Sequence, residues 1–424
     1  MRPAVDLKGR RILLGVTGSI AAYKACDLAR LFVKAGAEVQ VVMSPAAERF
    51  VSALTFEALT RRRVLCEASE DWSGPLNHID VGKWAELYVI APATANTLNK
   101  LSKGIADTLP LQAALAFPGP ILVAPAANTR MLHSHYTEGS LKMLKVNDVT
   151  VVEPARKLLA CGDEGEGALA EPLEIFYQGA RALLQEEFWQ DRKAVVTGGG
   201  TREAIDAVRF LGNRSSGKMA DALATALWLR GADICYLRTI ANPGLPEGIY
   251  TIDVENAEEM GEYLTDCIRV AKKGVKSRPS MNNPNPVGMI RKTPYLFMAA
   301  AVSDYRPRFP QEGKLKKSTL GERWTLELEQ TPDLLHNTVR EGIVTVAFKA
   351  ETDPEKGIEN ARRLLEEKNV DAVCYNDVGE GRAFGSELNA IRFISHNFET
   401  ELVTAPKAEL AFAILDEAKK LGDG

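Results

Sequence analysis

At 424 residues the chain exceeds one ordinary domain and implies two or three. An apolar share of 46% and a charged share of 25% belong to a globular protein with ample core. The formal charge of -4 lacks the basic footprint of a nucleic-acid or anionic-membrane binder, so neither partner is expected.

No apolar run reaches the roughly 18 residues that span a bilayer, and the start, MRPAVDLKGR, lacks a signal peptide's apolar stretch. The cysteines Cys26, Cys66, Cys161, Cys235, Cys267 and Cys374 are scattered, with no C-x-x-C pair and no matching His cluster. That pattern excludes a disulfide framework and a zinc site and fits a reducing cytoplasm.

In chain order, Arg11 to Val16 (RILLGV) is predicted as a buried strand, followed by Thr17, Gly18, Ser19 and the helical pattern IAAYKACDLARLFVKAG. Strands follow at Glu38–Met43, Leu87–Ala91, Pro120–Ala124 and Val149–Val152. The segment ALLQEEFWQ reads as a helix closing this half. Then the opening recurs: KAVVT (193–197) runs into Gly198-Gly199-Gly200-Thr201. Strands follow at Asp233–Leu237, Tyr295–Ala301, Thr345–Lys349 and Ala372–Tyr375. A buried strand running into a glycine turn and a helix begins a parallel α/β sheet, and its backbone N–H groups can approach a phosphate. Two such beginnings predict two doubly wound, Rossmann-like domains, 1–189 and 190–424. Residues 272–292 hold three prolines, three asparagines and six basic residues without helix or strand period. They read as a mobile surface insertion, with a basic flap over a nucleotide as the alternative.

Polar residues at the C-terminal ends of parallel strands are where open α/β sheets bind ligands. Thr94 and Asn96 stand in Ala91-Pro92-Ala93-Thr94-Ala95-Asn96, and Asn128 in Pro125-Ala126-Ala127-Asn128-Thr129-Arg130-Met131, each after a buried strand. His78 lies in Asn77-His78-Ile79-Asp80. Cys161 occupies Ala160-Cys161-Gly162-Asp163-Glu164-Gly165-Glu166-Gly167, whose three glycines suggest a mobile lid carrying a thiol. Cys26 and Cys235 read as small core residues, and His133 and His135 as surface residues.

In the second half, Gly212-Asn213-Arg214-Ser215-Ser216-Gly217-Lys218 spells a P-loop pattern. Met219 stands where the magnesium-binding hydroxyl belongs, and DAVRFLGN before it is no apolar strand, so that reading is rejected. Asp304 follows a buried strand and can bind magnesium or a ribose; the run Lys314 to Lys317 can meet phosphates or form a solvated turn.

The motifs G-S-I-A-A-Y-K, N-H-I-D, A-P-A-T-A-N, P-A-x-N-x-x-M and A-C-G-D-x-G-x-G, in this order over residues 10–185, resemble the flavin-dependent cysteine decarboxylases, and closely the phosphopantothenoylcysteine decarboxylases. The resemblance implies that Gly18, Ser19 and Ile20 hold the phosphate of flavin mononucleotide (FMN) and that Ser44, Thr94 and Asn96 line the flavin. It further implies that His78 is catalytic, that Asn128 holds the substrate carboxylate, and that Cys161 returns hydrogen to the decarboxylated intermediate. Ala127 and Leu132 depart from the family's Met and Trp, which alters packing and leaves Asn128 in place.

The strings TGGGTRE, Asn213 to Met219, AAVSDYRP, Gly313 to Lys317, Thr331-Pro332-Asp333 and FKAET resemble the phosphopantothenate–cysteine ligases over residues 190–420, the insertion excepted. That implies nucleotide contacts from Asp304, Lys314, Pro332, Asp333, Leu334, Leu335, Phe348 and Lys368, with CTP as cosubstrate and Mg2+ on Asp304. Asn213 would steady an acyl-cytidylate, with Arg209 and Lys218 near the substrate; Leu364 replaces a lysine of relatives. The two reactions are consecutive in coenzyme A biosynthesis: 4'-phosphopantothenate and cysteine are joined, and the product is decarboxylated to 4'-phosphopantetheine. Relatives form decarboxylase trimers and ligase dimers, which implies a dodecameric homo-oligomer. Two alternatives are a decarboxylase of peptide C-terminal cysteines with an unrelated tail and a regulatory flavoprotein that binds partners. The ligase motifs oppose the first, and retention of His78, Asn128 and Cys161 opposes the second.

Overall fold

The computed structural model describes residues 5–158, 164–277, 280–281, 288–316, 320–351, 354–377 and 388–422. The chain divides into two compact units, residues 1–184 with 278–287, and residues 185–277 with 288–424.

In the first unit, strands β1 (Arg11–Val16), β2 (Glu38–Met43), β3 (Leu87–Ala93), β4 (Ile121–Pro125) and β5 (Thr150–Val151) form one sheet in the order β2-β1-β3-β4-β5. Every pairing is parallel. Such strands are covered on both faces, which explains why they read as continuous apolar runs. The helix Ala22–Lys34 shows how one face is covered: Ala22, Ala25, Leu28, Ala29 and Phe32, spaced three and four apart, are all buried. Phe32 meets Phe176 of the helix Pro172–Leu184, their ring centroids 5.2 Å apart. Leu13, Val42, Tyr88, Ile90, Phe117 and Val123 belong to a buried cluster of the same unit. A hairpin, β6 (Ala155–Leu158) and β7 (Glu164–Ala168), completes the unit's strands among the described residues.

The second unit is built on β8 (Lys193–Gly198). A short antiparallel hairpin, β9 (Arg202–Ala204) and β10 (Phe210–Gly212), follows, so the segment before the P-loop-like string is not a core strand. The larger sheet then adds β11 (Asp233–Arg238) and β12 (Tyr250–Asp253). The predicted insertion carries an antiparallel pair, β13 (Val275–Lys276) with β14 (Met289–Ile290), which corrects the expectation that it lacks strand. Two-residue ladders are too short to leave a period in sequence. Next come β15 (Tyr295–Met298), the pair β16 (Tyr305–Pro307) and β17 (Leu328–Gln330), and β18 (Val344–Glu351), β19 (Ala372–Asp377), β20 (Leu388–Ser395) and β21 (Glu399–Pro406). The large sheet runs β12-β11-β8-β15-β18-β19-β20-β21. It is parallel as far as β19 and antiparallel beyond. Only parallel strands are expected from the sequence, because β20 and β21 mix polar with apolar residues and so leave no continuous apolar run.

The segment Gln185–Arg192 packs inside this second unit. Trp189 is fully buried, its ring centroid 4.9 Å from that of Tyr295. Cys235 and Cys267, far apart in sequence, bring their sulfurs within 2.8 Å as free cysteines.

Candidate functional site

Four parallel strands of the first unit end on one edge, and each end carries residues singled out from the sequence. Thr17 to Ile20 follow β1, Ser44 follows β2, Thr94 follows β3, and Asn128 stands three residues after β4. β1 lies between β2 and β3, so the crevice between β1 and β3 is where the strand order reverses. Open α/β sheets bind ligands at that point. Thr17 joins the two ends: its hydroxyl donates to the Pro92 carbonyl at 2.6 Å and accepts from the Thr94 N–H at 3.2 Å.

Ser44, Thr94 and Asn128 share a second job. Each caps the helix that follows, accepting from the N–H of Ala47 (3.3 Å), Thr97 (3.2 Å) and Arg130 (2.9 Å) respectively. Capping residues carry short polar side chains for this reason, and three helix N-termini with positive dipole ends gather at the same edge. At Gly18 a Cβ would stand 2.4 Å from the Ala46 Cβ, so only glycine lets the β1 turn lie against the Ser44 turn. Ser19 closes the turn, accepting from Ala21 N–H at 3.2 Å. Ile20 and Asn96 are exposed at this rim.

His78 opens the helix His78–Trp84, whose first N–H groups are capped by Asn77. Its Nδ1 lies 2.9 Å from the Glu70 carboxylate, and its ring meets Trp72 edge-on at 5.3 Å. Donation from Nδ1–H to Glu70 selects the tautomer with its basic lone pair on Nε2. Neither Glu70 nor Trp72 was found from sequence, since they precede His78 in an irregular stretch. His133 and His135 are exposed, as expected.

Cys161 lies outside the described residues. The hairpin that brackets it is anchored beside Asn128: the Ala127 N–H donates to the Gly167 carbonyl at 3.0 Å. Gly167 has a φ of +140°, and a Cβ there would meet the Ala127 oxygen at 2.1 Å. Gly165 and Gly167 therefore serve close packing inside β7, which places them in a strand where the sequence predicts a glycine-rich loop.

The second unit contains a cleft of about 1170 Å3. Its walls include Asn213, Lys218, Asp304, Pro332, Asp333, Leu334, Leu335, Phe348 and Leu364. The remaining predicted residues, Arg209, Lys314 and Lys368, are not on its wall; Lys317 is outside the described residues. Lys368 pairs with Asp333 at 2.7 Å. Burial would raise the Asp333 carboxyl, but Lys368 and the N–H groups of His336 and Leu335 hold it below its ordinary value. Arg209 is gripped by Asp206, its Nη2 2.5 Å and its Nε 3.1 Å from Oδ2. The same carboxylate accepts from the Leu315 N–H at 3.1 Å, tying down the backbone next to Lys314. These donors, Arg209 foremost, hold Asp206 far below the usual carboxylate range despite burial. Asn213 donates its amide to the carbonyls of Ala301 (3.3 Å) and Val302 (3.0 Å), joining two walls. Asn376, Asn389 and Lys407 also line the cleft. They went unnoticed because they come from the end of β19, β20 and the helix after β21.

Comparison with known proteins follows this division. The Flavoprotein family model matches residues 1–180, and that of the DNA/pantothenate metabolism flavoprotein C-terminal domain matches residues 189–277 and 269–421. The coenzyme A biosynthesis bifunctional protein CoaBC of Haemophilus influenzae is 35% identical over 419 residues, 97% of this chain and 98% of that protein. The Bacillus subtilis protein of the same name is 35% identical over 424 residues, 98% of each chain. That of Mycobacterium tuberculosis is 34% identical over 424 residues, 96% of each chain.

The chain belongs to the coenzyme A biosynthesis bifunctional protein family. As a member it is a bifunctional enzyme, with a flavoprotein decarboxylase half and a ligase half. The decarboxylase half of this family member presents the four strand ends, and the ligase half presents the cleft. Among the described residues, no helix is long and apolar enough to cross a membrane.

Proposed function

We propose that the second unit joins cysteine to 4'-phosphopantothenate using CTP, through an acyl-cytidylate, and that the first decarboxylates the product with FMN to give 4'-phosphopantetheine. The observation that carries the flavin reading is the set of Gly18, Ser44, Thr94 and Asn128 on adjacent strand ends around the reversal point. The Gly18 turn is a cradle that any Cβ would fill, and the helix after it offers its N-terminus to a phosphate. Gly18, Ser19 and Ile20 would hold the phosphate, and Ser44, Thr94 and Asn96 the remainder of the group.

Bound FMN would accept the two electrons that oxidise the substrate's cysteine thiol to a thioaldehyde, and that thioaldehyde is the sink for the charge left by the departing carboxylate. His78, oriented by Glu70, exchanges a proton through Nε2. Asn128 orients the substrate carboxylate while its Oδ1 caps the helix behind it. Cys161 would donate the proton that the intermediate takes up after carbon dioxide leaves, with the two electrons returning from the reduced flavin.

In the ligase, Asp304, Lys314, Pro332, Asp333, Leu334, Leu335, Phe348 and Lys368 would surround the nucleotide, and Arg209, Asn213 and Lys218 the substrate. Among the described residues no three metal-ligating side chains cluster. A single carboxylate, Asp304, with phosphate oxygens suits Mg2+, which keeps most of its water. Ile20, Tyr23, Met131 and Tyr136 are large hydrophobic residues exposed in the first unit, which supports a homo-oligomer, with a dodecamer implied by family resemblance.

The test is Cys161→Ser in the purified, yellow holoprotein. Oxidative decarboxylation should continue while formation of 4'-phosphopantetheine stalls, with ligation from 4'-phosphopantothenate, cysteine and CTP intact. A colourless protein that cannot be reconstituted with FMN would refute the first half of the proposal. Loss of ligation with CTP in wild type would refute the second.

A further inference from the structure

The turn Asn213–Gly217 forms part of the ligase cleft and runs into the helix Lys218–Leu229. Its first residue is clamped to Ala301 and Val302 through the Asn213 amide, as described above. Its far end is held by a residue that lines no wall of the cleft. Asn242 donates from Nδ2 to the Ser216 carbonyl at 3.0 Å and to Asp221 Oδ2 at 2.6 Å. A primary amide has two N–H bonds, and these two acceptors use both.

The acceptor that fixes Asn242 is itself oriented from below. Asp221 Oδ1 accepts from the Tyr236 hydroxyl at 2.8 Å, and Tyr236 is fully buried on β11. Burial pushes the Asp221 carboxyl up, against the pull of Asn242 and Tyr236. A partly desolvated carboxylate loses more than an exposed one when a donor is removed. The backbone leaves little latitude for the turn: Gly217 has a φ of +70°, in the left-handed region that favours glycine, and it stands beside Asn242.

We infer that Asn242 is a positioning residue of the ligase, held by Asp221 and Tyr236, that sets the turn carrying Asn213 and Lys218 against the cleft. It reaches the reacting groups only through that turn. The inference rests on the ligase reading for its kinetic test and on geometry alone for its structural one.

Asn242→Leu keeps the size and removes both N–H groups; Asn242→Gln keeps a donor; Tyr236→Phe removes only the lower support. In full-length holoprotein, Asn242→Leu should lower ligase kcat/KM for 4'-phosphopantothenate by about tenfold, the scale of losing a bond to a charged group. Asn242→Gln should recover at least about a third of wild-type kcat/KM, and Tyr236→Phe should lose less than the leucine variant. Unchanged hydrogen exchange of the β15 and β18 amides, in the core of the same unit, serves as the folding control for each variant. Hydrogen exchange of the amides of residues 215–219 should be faster in Asn242→Leu without any substrate present. Ligase kinetics within about twofold of wild type, equal losses in the leucine and glutamine variants, or unchanged exchange would each overturn the assignment. A wild type without CTP-dependent ligation would count against the ligase reading instead, and the exchange result would still judge Asn242.

Discussion

The two halves begin alike, with a buried strand, a glycine turn and a helix, yet they assemble their sites differently. In the first unit the candidate residues sit at consecutive strand ends, and Ser44, Thr94 and Asn128 each cap the next helix. Position along the chain is nearly position in the site. In the second unit the cleft draws on segments about residues 213–220, 298–305, 330–335, 348–350 and 388–391, brought together by a sheet whose strand order departs from chain order. Short motifs announced both sites, but the second site's contributions from β19, β20 and the last helix left no motif.

The comparison can be broken most directly at His78. His78→Ala should lower decarboxylation by about 100-fold or more, the scale of losing a positioned acid–base group. Ligation and the flavin spectrum should be retained, and a parallel loss of ligation would show that the halves do not act separately.

A crossed pair of glycine substitutions sharpens it next. Gly18→Ala puts a Cβ 2.4 Å from the Ala46 Cβ, and Gly198→Ala puts one 2.3 Å from the Ala220 Cβ. Overpacking of this kind costs about 1–3 kcal/mol. Gly18→Ala should release flavin and spare ligation, and Gly198→Ala should do the reverse, as read by absorbance and coupled turnover.

Asp206→Asn tests the loop-built site through pH. The native carboxyl is held below its ordinary value, so its contribution is complete above the unfolded value of about 3.9 and is lost as pH falls from there toward the folded one. The variant should therefore unfold more readily than wild type at neutral pH, with the gap closing below about pH 4. A gap that persists in acid would remove the carboxylate from the explanation.

The smallest effect belongs to Ser44→Ala. Loss of one helix cap costs about 1 kcal/mol, seen as a modest fall in the denaturation midpoint of flavin release. A larger fall in flavin affinity would show that Ser44 contributes more to the ligand than to its helix.

Much of this was legible in advance. The strands at 11–16, 38–43 and 193–197 were found where they stand, because a strand buried on both faces is an apolar run bounded by turn residues. The strands Leu388–Ser395 and Glu399–Pro406 escaped, since polar residues such as Arg392, Glu399 and Glu401 interrupt their apolar runs. Glu70 and Trp72 escaped for another reason: nothing in a carboxylate or an indole on an irregular segment says which imidazole it will meet.

By itself the sequence determined the α/β class of both halves, the glycine turns, the capped strand ends and the family, because each rests on neighbours within a few residues or on ordered motifs. Tertiary structure alone decided that Glu70 sets the His78 tautomer, that Gly165 and Gly167 are packing residues, and that Asn242 holds the Ser216 carbonyl. Those partners lie 8 to 40 residues apart. Hydrogen bonds and steric contact act over a few ångströms of space, and only the folded sheets convert such separations into contact.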